Sequence, residues 1–235
     1  MRYLFLSFVF FSFLGCSQNP EPNSEPEWTL LFNGENLDGW TKLNGMADYS
    51  IEGNTIVGTA KLNTPNTFLA TDQTYGDFVL KVDVKVDTAL NSGIQIRSLS
   101  TPDYQDGRVH GYQVEIDPSE RAWSGGLYDE ARRGWLYPLE YNEKGQKAFK
   151  NGEWNAYHIE AVGDTLRVWV NDIMTTNLVD NITAEGFIAL QVHSIGEAYK
   201  EGAQVRWRDV KIMTANLASV RKKADPEVPI INTAK

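Results

Sequence analysis

The sequence predicts an all-β fold in a single domain, with antiparallel strands arranged as a sandwich or a barrel. Apolar and polar residues alternate with a period of two in Phe78–Val86 and in six further segments, as they do in half-buried strands. Turn-forming pairs such as Gly125-Gly126 and Asn151-Gly152 lie between these segments. Many short strands without interleaved helices are typical of two packed antiparallel sheets or a closed barrel.

The first 15 residues have the features of a bacterial lipoprotein signal peptide. Arg2 precedes a mostly apolar run that is too short to span a bilayer, and Leu14-Gly15 places a small residue before Cys16, the chain's only cysteine. We therefore expect cleavage before Cys16 and lipid attachment to it; the alternative is an ordinary secretory signal with an incidental cysteine. Residues 16–27 are rich in Pro, Glu, Asn and Ser, which predicts a flexible tether.

The net charge and the residue after Cys16 bear on the partners and the cellular location of the protein. A net charge of −9 leaves no general excess of basic residues for nucleic-acid phosphates, so we expect no nucleic-acid partner. Cys16 is followed by Ser17 rather than Asp, which favours the outer membrane over the inner membrane. The expected location is therefore the cell envelope, with membrane contact through the N-terminal lipid. The oligomeric state stays open.

The body of the chain, residues 28–214, contains the predicted strands and no internal repeat. These strands are Phe78–Val86, Gly93–Ser98, Gly111–Asp117, Trp154–Ala161, Thr165–Asn171, Gly186–Ser194 and Gln204–Met213. Ala215–Lys223 is the best helix candidate in the chain, although its pattern is weak. Residues 215–235, which contain two prolines near their middle, predict a docked or disordered C-terminal extension.

Three of the strands predict a shared polar face. If their apolar residues all face the core, the alternate residues lie together on one outer face. Amides, carboxylates, a guanidinium and an imidazole in this combination suit the recognition of sugar hydroxyls, whereas the alternative is an ordinary solvated sheet surface. The predicted face consists of Gln95, Arg97, Gln113, Glu115, Asp117, Gln191 and His193.

Side chains outside these strands complete the candidate site. His110 stands at the entry of its strand, close to the polar face. The long segment 118–149 carries Trp123, Tyr128, Arg132 and Trp135, and aromatic rings beside arginines on a loop suit stacking against a sugar ring. The alternative for Trp135 is that it folds back as part of the loop core.

The sequence lacks the motifs of several common catalytic, nucleotide-binding and zinc sites. The chain has no GxSxG, P-loop or GxGxxG motif, and neither HxxxH nor CxxC occurs. Glu115, Asp117 and His193 could hold a divalent metal ion through mainly oxygen ligands, and no other cofactor is indicated.

Seven short segments, in order, resemble the 3-keto-disaccharide hydrolase family. They are Leu31–Trp40, Asn91–Arg97, Gly111–Asp117, Gly126–Tyr128, Glu153–Tyr157, Gly186–His193 and Val205–Ile212, and they cover residues 31 to 213. The resemblance implies a concanavalin A-like jelly-roll sandwich, frequently exported or lipid-anchored. It also implies cleavage of glycosides whose sugar is oxidised to a ketone at carbon 3.

The resemblance suggests roles for the polar residues. A ketone at carbon 3 acidifies the hydrogen on carbon 2, so a base can remove it and the group on carbon 1 can be expelled, with water adding afterwards. We expect His193 to be the base, because an imidazole exchanges protons near neutral pH. Arg97, or a metal on Glu115 or Asp117, would stabilise the enolate oxygen, and Glu115 or Asp117 would protonate the leaving group.

Two other functions fit the same residues. A carbohydrate-binding module would use the sandwich and its aromatic side chains without any chemistry. An ordinary glycoside hydrolase would use Glu115 and Asp117 as paired carboxylates, although both project from one side of one strand. Turnover of oxidised and unoxidised glycosides separates these functions.

Overall fold

The computed structural model describes residues 27–197 and 201–235, which form two packed β-sheets with only short helical turns. The predicted signal peptide 1–15, Cys16 and all of the predicted tether except Glu27 lie outside the described residues. Within the described part of the chain, no helix is both long enough and apolar enough to cross a membrane.

Sixteen strands are assigned in the described residues. They are β1 (Thr29–Leu30), β2 (Trp40–Asn44), β3 (Asp48–Glu52), β4 (Thr55–Thr59), β5 (Thr67–Tyr75), β6 (Phe78–Val86), β7 (Ser92–Leu99), β8 (His110–Ile116), β9 (Leu127–Glu130), β10 (Gly134–Tyr137), β11 (Asn155–Val162), β12 (Thr165–Val170), β13 (Ile173–Val179), β14 (Gly186–Val192), β15 (Gln204–Met213) and β16 (Ile231–Asn232). One helical turn, α1, spans Glu143–Gln146, and shorter 3-10 turns span Gln105–Gly107, Leu139–Tyr141 and Leu217–Ser219.

The strands form a jelly-roll sandwich rather than a closed barrel. The nine-stranded sheet has the order β16-β13-β12-β11-β6-β15-β4-β3, with β1 paired to the far end of β15. The seven-stranded sheet has the order β10-β9-β8-β7-β14-β5-β2. Neighbours are antiparallel except for β16, which runs parallel to β13. The predicted sandwich of two antiparallel sheets is confirmed.

Alternation along the strands builds the core between the two sheets. Ile94 and Tyr112 from the seven-stranded sheet and Trp207 from the nine-stranded sheet are all fully buried. Complete burial of a large apolar side chain contributes about 1.5–3 kcal/mol to stability. The many buried apolar side chains between the sheets are therefore the main source of the domain's stability. The predicted inward sets of β7, β8 and β14 all lie in this core.

Arg97 breaks the alternation, so the prediction that it joins the polar face is wrong. The pairing of β7 with β8 is irregular at this position, and Arg97 has a φ of 45°. Its buried guanidinium instead donates to the Gly76 and Gly163 carbonyl oxygens, both at 2.8 Å, and to Asp77 at 2.9 Å. Arg97 therefore ties together turns at one end of the sandwich.

The C-terminal extension is docked against the sandwich. Val228 is buried, β16 extends the nine-stranded sheet, and the Tyr137 hydroxyl donates to the Pro229 carbonyl oxygen at 2.9 Å. The helix candidate at 215–223 forms only the 3-10 turn Leu217–Ser219. Local sequence propensity there is too weak to continue a helix without a packed apolar face.

Candidate active site

A polar hollow lies on the outer face of the seven-stranded sheet. This central hollow has a volume of about 330 Å³, and β8, β9, β10 and the segments next to β5, β7 and β14 contribute to it. Its lining is Asn66, Asn91, Arg108, Gln113, Glu115, Arg121, Tyr128, Glu130, Trp135 and His193. The predicted meeting of Glu115 and His193 in one hollow is therefore found.

A chain of buried amides forms the floor of the hollow. Gln113 Oε1 accepts hydrogen bonds from Gln95 Nε2 at 2.6 Å and from Gln191 Nε2 at 2.8 Å. Gln113 Nε2 in turn donates to Glu115 Oε2 at 3.0 Å. Because two donors fix its oxygen, the Gln113 amide has only one orientation and presents its NH₂ group to the carboxyl.

Gly93 makes this floor possible. It lies between Glu115 and Gln191 in the register of β8, β7 and β14. A Cβ at this position would stand 2.5 Å from Cδ of Gln113, so any side chain would push the Gln113 amide out of place. Gly93, near the start of β7, therefore has a packing role in the site.

Glu115 is poised to exchange a proton near neutral pH. The side chain is almost completely buried, and this burial raises its pKa to about 7. Hydrogen bonds from Asn91 Nδ2, at 2.7 Å, and from Gln113 oppose part of the effect. The Arg121 guanidinium is 3.7 Å from Oε1. A carboxyl of this kind donates a hydrogen bond as readily as it accepts one.

Asp117 has the opposite electrostatic setting, two residues further along. Although burial opposes ionisation, hydrogen bonds from the Ser119 amide, at 3.1 Å, and from Arg121 Nε, at 2.8 Å, lower its pKa. Asp117 does not line the central hollow; it lines a smaller one beside it. It holds Arg121 in place and is not a proton donor at neutral pH.

His193 follows β14 and faces the central hollow. Its Nδ1 lies 2.7 Å from the Ser194 carbonyl oxygen, which can only accept a hydrogen bond. The proton of the neutral ring is therefore assigned to Nδ1, and Nε2 keeps a free lone pair. This tautomer is the one that a general base requires.

Aromatic rings form one wall of the hollow. Trp135 and Tyr128 both line it and meet edge to face, with ring centroids 5.2 Å apart. Trp123 packs against Trp135 from outside the hollow at 4.7 Å, and Arg121 lies over both indoles at 4.6 and 4.9 Å. Trp135 is half-buried and faces the hollow, so it is not simply loop core.

Several predicted contact residues lie elsewhere. Gln95 and Gln191 are completely buried and position Gln113 instead of reaching a ligand, and Trp123 only supports Trp135. Arg132 turns to the other side of β9, where it pairs with the buried Asp129 at 2.6 Å. His110 is stacked on Tyr104 and does not line the hollow.

Five lining residues were not predicted from the sequence. Glu130 has the period-two relation to Tyr128 on β9, a signal that could have found it. Asn91 and Arg121 stand in or next to segments already singled out, whereas Asn66 and Arg108 come from loops with no distinguishing pattern. Burial raises the pKa of Glu130, and the Arg108 guanidinium at 3.5 Å opposes only part of this.

The residues proposed as metal ligands do not fit that role. The described residues contain no group of three or more His, Cys, Asp or Glu side chains arranged to hold a metal ion. Both oxygens of Glu115 accept amide hydrogen bonds, and Asp117 is engaged by Arg121. We therefore derive no step through a metal ion.

Fold and site together define a jelly-roll sandwich of the glycosyl-hydrolase-like class. The chain belongs to the family of 3-keto-alpha-glucoside-1,2-lyase-like domains, whose sequence model matches residues 27–213. No curated protein matches the chain in sequence.

Solved structures share this fold at low sequence identity. A Parabacteroides distasonis protein provisionally assigned as a glycosyl hydrolase is 20% identical, with a TM-score of 0.58, over 80% of this chain and 94% of its own. A Bacillus subtilis protein with a galectin-like fold is 9% identical, with a TM-score of 0.55, over 80% and 98%. The carbohydrate-binding module CBM66 of Bacillus subtilis is 17% identical, with a TM-score of 0.51, over 74% and 95%.

Proposed function

We propose that this protein is an enzyme that cleaves 3-keto-glycosides by removing the proton on carbon 2 and expelling the group on carbon 1. The observation that carries the proposal is the placement of Glu115 and His193 in one hollow. The carboxyl has a pKa of about 7, and the imidazole Nε2 is free to accept a proton. Membership of the 3-keto-alpha-glucoside-1,2-lyase-like family supports the choice of substrate.

The reaction begins at His193. Nε2 takes the proton from carbon 2, and the electrons of that C–H bond form the double bond of an enolate toward carbon 3. The enolate then collapses, the bond between carbon 1 and the glycosidic oxygen breaks, and the oxygen leaves with a proton. The products are an alcohol and a conjugated enone; addition of water across the new double bond gives net hydrolysis.

Arg121 and protonated Glu115 replace Arg97 as the groups that stabilise the enolate oxygen. Charge develops on the carbon-3 oxygen during proton removal, and donors already fixed around that oxygen lower the barrier. Arg121 is held by Asp117 and by two indole faces, while the Gln113 amide and Asn91 hold Glu115. Both donors are therefore in place before the substrate binds.

The test uses methyl 3-keto-glucoside in deuterated water. We expect release of methanol, ultraviolet absorption from the enone, and incorporation of deuterium at carbon 2 in residual substrate if proton removal is reversible. His193→Asn should abolish all three. His158→Asn, which changes a histidine of the nine-stranded sheet, is the matched control and should retain turnover.

Two results would assign a different function. Binding of the 3-keto-glucoside without any release would favour a carbohydrate-binding module, which the aromatic wall of Trp135 and Tyr128 and the similarity to CBM66 also suit. Equal turnover of the unoxidised methyl glucoside would favour an ordinary glycoside hydrolase. That outcome is disfavoured because Asp117 directly follows β8, only two residues after Glu115, and is engaged by Arg121.

Export and lipid attachment at Cys16 complete the proposal. Support comes from the sequence alone, through the apolar run and the Gly15-Cys16 pair. A 3-keto-glycosidase attached to the outer membrane would meet oxidised sugars in the cell envelope.

A further inference from the structure

Two more hollows adjoin the central hollow on the same face of the sheet. The side hollow, of about 550 Å³, shares Asn66, Arg108 and Glu130 with the central hollow. The end hollow, of about 270 Å³, shares Asn91 and His193 with it. Small-molecule sites occupy about 300–1,000 Å³, so the side hollow has room for a second ligand unit and the end hollow has less.

A loop in an uncommon conformation supplies the outer wall of the side hollow. Gln105 and Asp106 line it, and both have left-handed backbone angles, with φ of 44° and 55°. Two consecutive non-glycine residues in this region are uncommon and require support from the surroundings. Asn44 gives that support. Its Nδ2 donates a hydrogen bond to the Gly107 carbonyl oxygen at 3.0 Å, and its Oδ1 accepts one from the Val109 amide at 2.8 Å.

This loop presents polar groups of the kind that bind saccharide hydroxyls. Gln105 and Asp106 are exposed, and Gln105 Oε1 accepts from Arg108 at 3.2 Å. Arg108 also approaches Glu130 at 3.5 Å, so it connects the loop to the boundary between the two hollows. The end hollow is smaller, and its lining mixes apolar side chains such as Ala89 and Leu90 with polar ones such as Ser119.

The carboxyl groups nearest the side hollow and the end hollow have pKa values shifted in opposite directions. Glu130 lines both the central and the side hollow, and burial raises its pKa above the ordinary glutamate value. Asp117 lines the end hollow, and although burial opposes ionisation, the bonds from Ser119 and Arg121 lower its pKa. A departing alkoxide needs an acid beside it, and Glu130 stands between the central and the side hollow, whereas Asp117 lies outside the central hollow and is engaged by Arg121.

We propose that the side hollow binds the leaving saccharide of a 3-keto-disaccharide and that Glu130 protonates the oxygen that departs from carbon 1. This inference rests on the proposed function and adds the orientation of the substrate across the central and side hollows. The oxidised sugar occupies the central hollow, with carbon 3 toward Glu115 and Arg121 and carbon 1 toward Glu130. As the C–O bond breaks, its electron pair stays on oxygen and accepts the Glu130 proton, which leaves a carboxylate near Arg108.

The acid role is tested with Glu130→Gln on two 3-keto-glucosides. Methanol is a poor leaving group, so kcat/KM for the methyl glycoside should fall about 10²- to 10⁴-fold. The 4-nitrophenyl glycoside expels a stable phenolate that needs no proton, so its kcat/KM should fall less than about tenfold. Turnover of the nitrophenyl substrate also shows that the variant is folded. Equal losses on both substrates would overturn the acid role.

The binding role is tested through substrate preference. Asp106→Gly and Gln105→Gly remove one side chain each, and glycine tolerates the left-handed conformation. Each should lower the ratio of kcat/KM for a 3-keto-disaccharide to that for the methyl 3-keto-glucoside by about tenfold, as expected for one lost hydrogen bond. Asp103→Ala, in the same loop but outside the hollow, should leave the ratio unchanged. An unchanged ratio in both glycine variants would refute the subsite.

The wild-type assay separates this inference from the proposed function. If the wild-type protein turns over none of these 3-keto substrates, the proposed function fails. If it turns over the methyl glycoside but the variants behave alike on all substrates, only the side hollow and Glu130 lose their assigned roles.

Discussion

Replacement of Glu115 by glutamine should change how stability depends on pH. Burial raises the pKa of Glu115 from an ordinary 4.5 to about 7, so the folded state favours the neutral carboxyl. Below pH 4.5 the side chain is protonated in both states and its full contribution to stability is present. As pH rises toward 7, the unfolded chain ionises while the folded protein does not, and stability falls.

The size of the effect follows from the difference between the two pKa values. A change of about 2.5 in pKa corresponds to about 3 kcal/mol in the free energy of unfolding. Glutamine does not titrate, so the variant lacks this loss. The stability of Glu115→Gln relative to the wild type should therefore rise by about 3 kcal/mol between pH 4.5 and pH 8.

Glutamine fits the hydrogen bonds of the site. Gln113 Oε1 is fixed by two amide donors, so its NH₂ group continues to require an acceptor at position 115. The oxygen of the new amide supplies that acceptor, and its NH₂ group faces Asn91. Asn91 can rotate its own amide so that its oxygen accepts from this NH₂ group.

The assay is urea denaturation of both proteins at pH 4.5 and pH 8, each at the same ionic strength. Glu120→Gln removes an exposed carboxylate from the neighbouring loop and controls for the loss of one negative charge. Other titrating groups are common to both proteins and cancel in the comparison. Parallel stability curves for wild type and Glu115→Gln would refute the buried, neutral carboxyl.

Four further outcomes are expected. Turnover of 3-keto-glucoside, followed as kcat/KM, should fall as pH rises above about 7, because Glu115 then loses the proton that it donates to the enolate oxygen. Arg97→Met should lower the free energy of unfolding in urea by about 2–4 kcal/mol, because two carbonyl oxygens lose their donor, while the folded fraction keeps its kcat. Gly93→Ala should lower kcat/KM for the same substrate and destabilise the fold by about 1–3 kcal/mol, because its Cβ displaces the Gln113 amide. Cys16→Ala should move the protein from the membrane fraction to the supernatant in a cell-fractionation blot, because the lipid has no attachment point.

The opposite results for two of these variants would contradict specific arguments above. If Arg97→Met abolished turnover without a change in thermal stability, Arg97 would belong to the active site, and its contacts with the turns at the end of the sandwich would not be its main role. If the Cys16→Ala protein stayed in the membrane fraction after a high-salt wash, the lipid would not be what holds it there.

The sequence by itself determined seven of the sixteen strands and the sheet face toward which most of their side chains point. Period-two alternation is a property of the extended chain, so Phe78–Val86 and Gln204–Met213 could be placed with the bounds that the structure has. The same local rule put Glu115 and Gln191 on the outer face and Val114 and Leu190 in the core. These features need no knowledge of what lies across the sheet.

Tertiary structure decided which polar residues line the central hollow. Arg97 followed the pattern but left the face, because an irregular pairing and a positive φ turned its side chain away. Gln95 and Gln191 kept the predicted side but were covered by their neighbours. Alternation sets a direction, whereas burial depends on segments far away in the chain, and no local pattern carries that information.

The candidate acid Glu130 is a second case in which tertiary packing, and not the local sequence pattern, decided the role. Its neighbours Arg108 and Asn66 come from separate loops, and only their packing around the carboxyl makes it a buried group beside two hollows. A pKa is set by desolvation and by nearby charges, both of which exist only in the folded chain. The sequence therefore supplied the residue types of Glu115 and His193 as candidates, whereas Glu130 and its neighbours could be found only in the folded sandwich.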